Sequence, residues 1–234
     1  PAPREKLEEV DLAEILYTSG TTGKPKGAML SHANLLSNAL ALKAAWGFTE
    51  KDVLLHALPI FHVHGLFISL NTALLSGCRI LWQPKFDVGA VIAALPRATA
   101  FMGVPTYYTR LLEDERLDRA CVKNIRVFIS GSAPLLAETF AAFEKRTGHA
   151  ILERYGMTET GIISSNPLEG ERKPGTVGFP LKGVEVRIVN DKGGPIHPGE
   201  TGMVEVRGPS VFSGYWRMPE KTRSEFRHDG FFVT

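Results

Sequence analysis

YTSGTTGKPKG, residues Tyr17 to Gly27, is the stretch whose reading decides the fold. Its eleven residues hold three glycines (Gly20, Gly23, Gly27), four hydroxyls (Thr18, Ser19, Thr21, Thr22) and two lysines (Lys24, Lys26). Glycines let backbone come close to a ligand, and successive N–H groups in such a loop form a concavity for an anion. Hydroxyls and ammonium groups add donors around it. The apolar run Leu12–Leu16 leads in like a buried strand, and Ser31 can cap a helix through Leu35, Ala39 and Leu42. Strand, loop and helix together predict a polyphosphate cradle. Two other phosphate motifs fail on spacing. A Walker A loop counted from Gly20 would need Gly-Lys where Pro25 stands, and no G-x-G-x-x-G occurs.

Outward from the loop, apolar runs alternate with helical patterns as far as Lys173. Strands are predicted at Val53–Ala57, Arg79–Leu81, Thr99–Met102, Val127–Ser130 and Ala150–Arg154. Helices are predicted at Ala33–Ala45, Gly65–Leu75, Val88–Leu95, Tyr107–Glu113 and Ala137–Thr147. This alternation predicts an α/β fold, a doubly wound, mostly parallel sheet with helices on both faces and ligands at the carboxyl ends of strands. After Pro174 the texture changes: Val184, Val186 and Ile188 alternate with charges, and Asp191–Gly202 reads as a turn before a strand at Met203–Val206. The expected division is therefore an α/β part, 1–174, and a smaller β-rich part, 175–234.

With 234 residues, 44% hydrophobic, the chain can bury a substantial core. A net charge of +2 without charge runs points neither to nucleic acid nor to a membrane surface, and no apolar run reaches the ~20 residues that span a bilayer. Cys78 and Cys121 lack C-x-x-C spacing and read as buried, reduced thiols of a cytoplasmic protein. His62 and His64 would project one way from a strand, but the neighbouring sequence supplies no third metal ligand. No G-x-S-x-G nucleophile elbow is present, so Ser132 is assigned binding only.

TSGTTGKPKG resembles the phosphate loop of the adenylate-forming superfamily of acyl-CoA synthetases, luciferases and adenylation domains. LPIFHVHG (58–65), SGSAP (130–134) and ERYGMTETG (153–161) follow in that family's order. The resemblance extends through GTVGFPLKGVEVRIV and GYWRMPEKT. It implies ATP, Mg²⁺ and CoA as reactants. A carboxylate attacks the α-phosphorus to give an acyl adenylate, and the CoA thiol then displaces AMP. It also implies a longer enzyme, with a small C-terminal domain carrying the adenylation lysine, and little activity without it.

The same resemblance assigns residues. Thr18, Ser19, Gly20, Thr21, Thr22, Gly23, Lys24 and Lys26 would hold the pyrophosphate end of ATP. Gly131, Ser132 and Ala133 on one side and Glu153, Arg154, Tyr155 and Gly156 on the other would flank adenine. Thr158 would bond the α-phosphate, and Glu159 would bind Mg²⁺, a cation that favours one or two carboxylates plus phosphate oxygens. His62 would line the passage between acid pocket and CoA channel, while His64 packs. GVPTYYTRL together with SGSAP is similar to the malonyl-CoA synthetase branch, in which Arg110 and Ser132 would grip the second carboxylate. In this reading Thr106 caps a helix with Arg110 one turn in. Another acyl- or aryl-CoA ligase and a non-catalytic nucleotide-binding module remain the alternatives.

Overall fold

The computed structural model describes residues 6–18 and 25–234. In chain order these form β1 (Leu12–Thr18), β2 (Lys26–Ser31), α1 (His32–Ala45), β3 (Val53–His56), a π-helical turn (His64–Ser69), α2 (Leu70–Ser76), β4 (Arg79–Trp82) and α3 (Val88–Ala94). Next come β5 (Ala100–Gly103), α4 (Pro105–Leu112), β6 (Val127–Ser130), α5 (Ala137–Thr147), β7 (Leu152–Met157), β8 (Gly161–Ser165) and β9 (Phe179–Pro180). The last are β10 (Glu185–Val189), β11 (Met203–Arg207), β12 (Gly214–Tyr215), α6 (Pro219–Glu225) and β13 (Phe232–Val233).

Contacts group the chain into two compact units. One holds the described residues of Pro1–Asn38 with Thr158–Gly161 and Lys182–Thr234, and the other holds Ala39–Met157 and Ile162–Leu181. This is not the split at 174/175 expected from composition. Strand pairing explains the difference. β12 adds to the β1–β2 hairpin to make a sheet of order β1-β2-β12, which gathers the early chain with the late one. β9 instead joins the large sheet, through Ser164↔Pro180 and Ser165↔Phe179.

The large sheet has order β4-β3-β5-β6-β7-β8-β9; β4 through β7 run parallel, and β9 is antiparallel to β8. β3, β5 and β6 are buried along their whole length, as expected of parallel strands covered on both faces. Register sets Leu55 beside Phe101 and Phe101 beside Phe128. These side chains meet Val91 and Ile92 of α3, Tyr108 and Leu111 of α4 and Phe140 and Phe143 of α5 in one core. The predicted mixed α/β sheet is the fold observed.

The other unit departs from the predicted strand–loop–helix. Lys26–Ser31 does not begin the helix; it is a strand paired antiparallel to β1, from Tyr17↔Gly27 to Leu12↔Ser31. Gly27 permits the close approach, since a Cβ there would lie 2.8 Å from Ile15 Cγ2. Ser31 still caps α1: its Oγ accepts from Asn34 N at 3.2 Å, and Asn34 Oδ1 accepts from Ser31 N at 2.9 Å. A second three-stranded sheet, β10-β11-β13, completes the unit. In it Glu205, fully buried, accepts from Arg187 Nε at 2.7 Å and Arg227 Nε at 2.6 Å. Among the described residues no helix is long and apolar enough to cross a membrane, and both cysteines are free and half-buried rather than buried.

Candidate functional site

Parallel β6 and β7 lie side by side, and the segments at their carboxyl ends line one cleft of about 400 Å³. Ser130, Ser132, Ala133, Pro134 and Leu135 form one wall, Glu153, Arg154, Tyr155 and Gly156 another, with Gly175 and Val177 at the edge. SGSAP and ERYG, separate in sequence, are thus brought together as expected. Ser132 holds a positive φ of 70°. For a side-chain-bearing residue that is an uncommon backbone state, found where surroundings over-determine it.

Arg154 is the odd residue of this cleft. It is only 5% exposed, yet its Nε and Nη2 have no hydrogen-bond partner among the described residues. Burial pushes its guanidinium down to about 10, which still leaves it charged at neutral pH. The guanidinium packs on Gly131, where an added Cβ would sit 2.3 Å from its Cζ. Ser130 Oγ is likewise buried and unpartnered. Glu153 Oε1 accepts from Gly175 N at 3.1 Å, and burial raises its carboxyl. A buried charge without a partner costs several kcal/mol, roughly 3–5 when a pair is broken, so this arrangement asks for an anion.

The two histidines separate. The segment before the π-helical turn is not a strand, so the rings do not point one way. His62 is exposed, against the Phe61 ring at 4.7 Å. His64 is buried, and its Nδ1 lies 3.1 Å from Ser132 Oγ. Burial first, then the Arg154 charge, holds its pKa well below the ordinary value, so the ring is neutral, and its Nε2 has no partner. Sequence reading assigned a role to His62 and packing to His64; the ring that touches a site residue is His64. Only the run H-x-H-G before a helix could have signalled it.

Arg110 stands elsewhere. α4 begins at Pro105 after Val104, so Thr106 lies inside the helix rather than capping it, and Arg110 falls in the last turn. Its side chain is exposed, with Cζ 5.0 Å from the centre of the Phe86 ring, on a shallow groove shared with Glu113, Asp114, Glu115 and Arg116.

In the other unit, Thr18 ends β1 and Lys26 begins β2. Ser19, Gly20, Thr21, Thr22, Gly23 and Lys24 lie outside the described residues. Thr158 is half-buried, and Glu159 is 3% exposed. Glu159 Oε1 accepts from Tyr215 Oη at 2.9 Å, and its backbone carbonyl accepts from Phe212 N at 2.7 Å. Lys26 Nζ donates to the same Tyr215 Oη at 3.1 Å and meets Glu225 Oε1 at 3.4 Å. Burial, then the nearby Glu225 and Glu159 carboxylates, push the Tyr215 hydroxyl far up, so it stays a donor. Among the described residues no three His, Cys, Asp or Glu side chains form a metal cage. A single buried carboxylate of this kind suits a cation whose other ligands are phosphate oxygens and water.

The model of the family described as AMP-binding enzyme matches residues 1–216. A mouse protein named malonate–CoA ligase ACSF3, mitochondrial, is 41% identical over 257 residues, covering 95% of this chain and 44% of its own length. A long-chain-fatty-acid–CoA ligase of Bacillus subtilis is 37% identical and covers 97% of the chain and 41% of its own length. Among solved structures, ATP-bound MatB from Rhodopseudomonas palustris superposes with a TM-score of 0.95 at 56% identity, over 97% of this chain and 46% of that one. The chain spans less than half the length of these relatives.

Proposed function

Because the chain belongs to the AMP-binding enzyme family, we propose that it forms the nucleotide- and acid-binding part of a ligase that joins malonate to CoA. ATP would be cleaved to AMP and pyrophosphate on the way. The observation that carries the malonate reading is the buried Arg154 guanidinium in the cleft, whose Nε and Nη2 find no partner among the described residues. A fatty or aryl acid would leave that charge uncompensated, whereas the second carboxylate of a small dicarboxylic acid neutralises it bidentately. Ser132, fixed by His64, offers a hydroxyl at the same wall. Arg154, expected among the ATP contacts, is thereby moved to the acid. Arg110, on its separate groove, is given no part in gripping the acid, and His62 is retained as an exposed ring on the CoA side.

The nucleotide reading uses the remaining residues. Tyr155 presents an aromatic face to adenine, opposite the backbone of Gly131–Ala133. Thr158 bonds the α-phosphate, and residues 18–24 hold the pyrophosphate; Lys26, expected among those contacts, is engaged by Tyr215 and Glu225 instead. Glu159 is the residue that would hold Mg²⁺, which neutralises phosphate charge as the carboxylate attacks. The protein's own contribution is alignment: two anions are held in line by fixed donors, and the barrier falls through positioning and electrostatics. The free thiols of Cys78 and Cys121 support a reducing compartment such as the cytoplasm.

The test is pyrophosphate release by the full-length protein with malonate, methylmalonate, acetate, hexanoate and an aryl acid. Malonate is expected to lead. Arg154→Met is expected to cost about a hundredfold or more in kcat/KM for malonate, the scale of losing one partner of a buried charge pair, while ATP affinity stays within a few-fold. Equal turnover of acetate and malonate by the unaltered enzyme would refute the malonate assignment.

A further inference from the structure

Lys26 sits at the end of the glycine-rich stretch, where a phosphate contact is the obvious expectation. Its surroundings point elsewhere. Lys26 is 8% exposed and already engaged three ways: Tyr215 Oη at 3.1 Å, Glu225 Oε1 at 3.4 Å, and the face of the Tyr215 ring at 4.4 Å. Glu225 is also bound by Lys221 at 2.5 Å, so its carboxylate is held in place beneath Lys26. Tyr215, 2% exposed, is fixed at its backbone as well. Its N–H donates to Thr222 Oγ1 at 2.9 Å, and its strand pairs with β2 through Tyr215↔Ala28. The hydroxyl receives from Lys26 and donates to Glu159 Oε1 at 2.9 Å. That bond fixes one oxygen of the carboxylate, Oε1.

We propose that Lys26 and Tyr215 are positioning residues. They form a lysine–tyrosine–glutamate chain that holds the Glu159 carboxylate by Oε1 and so orients it for the divalent cation that accompanies ATP. This rests on the function proposed above. Ligating carboxylates are oriented by such outer hydrogen bonds, and loss of one typically weakens metal binding by about 10–100-fold. Two carboxylates, Glu225 and Glu159, lie within reach of the Tyr215 hydroxyl, and Lys26 Nζ and Lys221 both engage Glu225, which leaves the hydroxyl proton for Glu159. An ammonium has donors only, so the tyrosine must pass its own proton toward the carboxylate, and the carboxylate must accept. Lys26 acts on the metal at one remove, through Tyr215, and its charge is answered by Glu225 rather than left for a phosphate.

The experiment is calorimetric titration of the full-length protein with ATP, first in EDTA and then at stepped Mg²⁺ concentrations. Tyr215→Phe is expected to keep the EDTA affinity within about twofold and to raise the Mg²⁺ needed for half of the metal effect by roughly ten- to a hundredfold. Lys26→Met is expected to move the same way. Combining Tyr215→Phe with Glu159→Gln should add nothing to Glu159→Gln alone, since both act through one carboxylate. Should Tyr215→Phe fail to fold, Lys26→Arg, which keeps the charge against Glu225 but moves the donor, is expected to show the same raised Mg²⁺ requirement. An unchanged Mg²⁺ requirement in a folded variant would overturn the inference and leave the functional reading standing. So would a Lys26→Met protein that loses ATP affinity in EDTA, because Lys26 would then be a phosphate ligand. If Mg²⁺ changes nothing even in the unaltered protein, reading and inference fall together.

Discussion

At the scale of single residues, buried neutral imidazoles tie stability to acidity. Burial lowers the pKa of His64 well below 6.5, and it lowers His56 and His149 in the same direction. In the unfolded chain each ring takes a proton near 6.5. The unfolded state therefore binds more protons below that pH, and stability falls as pH falls through and beneath it. The urea midpoint is expected to hold steady above about pH 7 and to drop below about 6.5, with a shallower drop in His64→Gln. A midpoint flat down to about pH 5 would contradict the lowered pKa of these rings. His64 also marks where sequence reading stops. The pair His62 and His64 was legible, but which ring turns inward depends on a π-helical turn, and that turn is set by Gly65. A Cβ at Gly65 would lie 2.2 Å from the Pro59 carbonyl oxygen. Arg154 was likewise visible only as a member of a motif. Its lack of a partner is a property of packing.

At the scale of elements, one ion pair ties several together. Asp52, nearly buried, receives Arg126 Nε at 2.7 Å and Nη2 at 3.0 Å, and Thr99 Oγ1 at 2.7 Å. Arg126 also donates to the Trp46 carbonyl at 2.9 Å, just past the end of α1. Burial raises the Asp52 carboxyl, but the bonds from Arg126, Thr49 and Thr99 outweigh it, and the net shift is downward. Asp52→Ala is expected to cost roughly 2–4 kcal/mol in urea unfolding, somewhat below a fully buried pair because Arg126 keeps part of its side chain in water. A cost under about 1 kcal/mol would show that water replaces the carboxylate. The long periodic elements, such as α5 at Ala137–Thr147, were readable from pattern, because one face meets the core. Two-residue strands β9, β12 and β13 were not, since only their partners define them. The β2 strand went unread because glycines and lysines mark a loop as far as Gly27 and Ser31 does cap the helix that follows.

At the scale of the whole molecule, the fold class followed from the alternation of strand and helix patterns, and the meeting of SGSAP with ERYG from the family resemblance. The partition into units did not, because pairings such as Tyr215↔Ala28 join distant stretches that no local pattern announces. The family resemblance assigns the adenylation lysine to a separate domain. These 234 residues expressed alone are therefore expected to bind ATP weakly and to make negligible thioester, measured by nucleotide titration beside a coupled pyrophosphate assay. Robust thioester formation would refute that assignment.

One unit is stitched from early, middle and late chain, and this has a consequence for how the protein is born. Glu159 meets its tyrosine across 56 residues of sequence. At the usual pace of synthesis that delay is roughly 3–11 s, by the end of which the other unit's strands from β3 to β7 have emerged and are free to pair. The carboxylate assigned to the metal is thus settled among the last acts of folding. A nascent chain halted just before Tyr215 would hold β6 paired with β7 while Glu159 still waits for its partner.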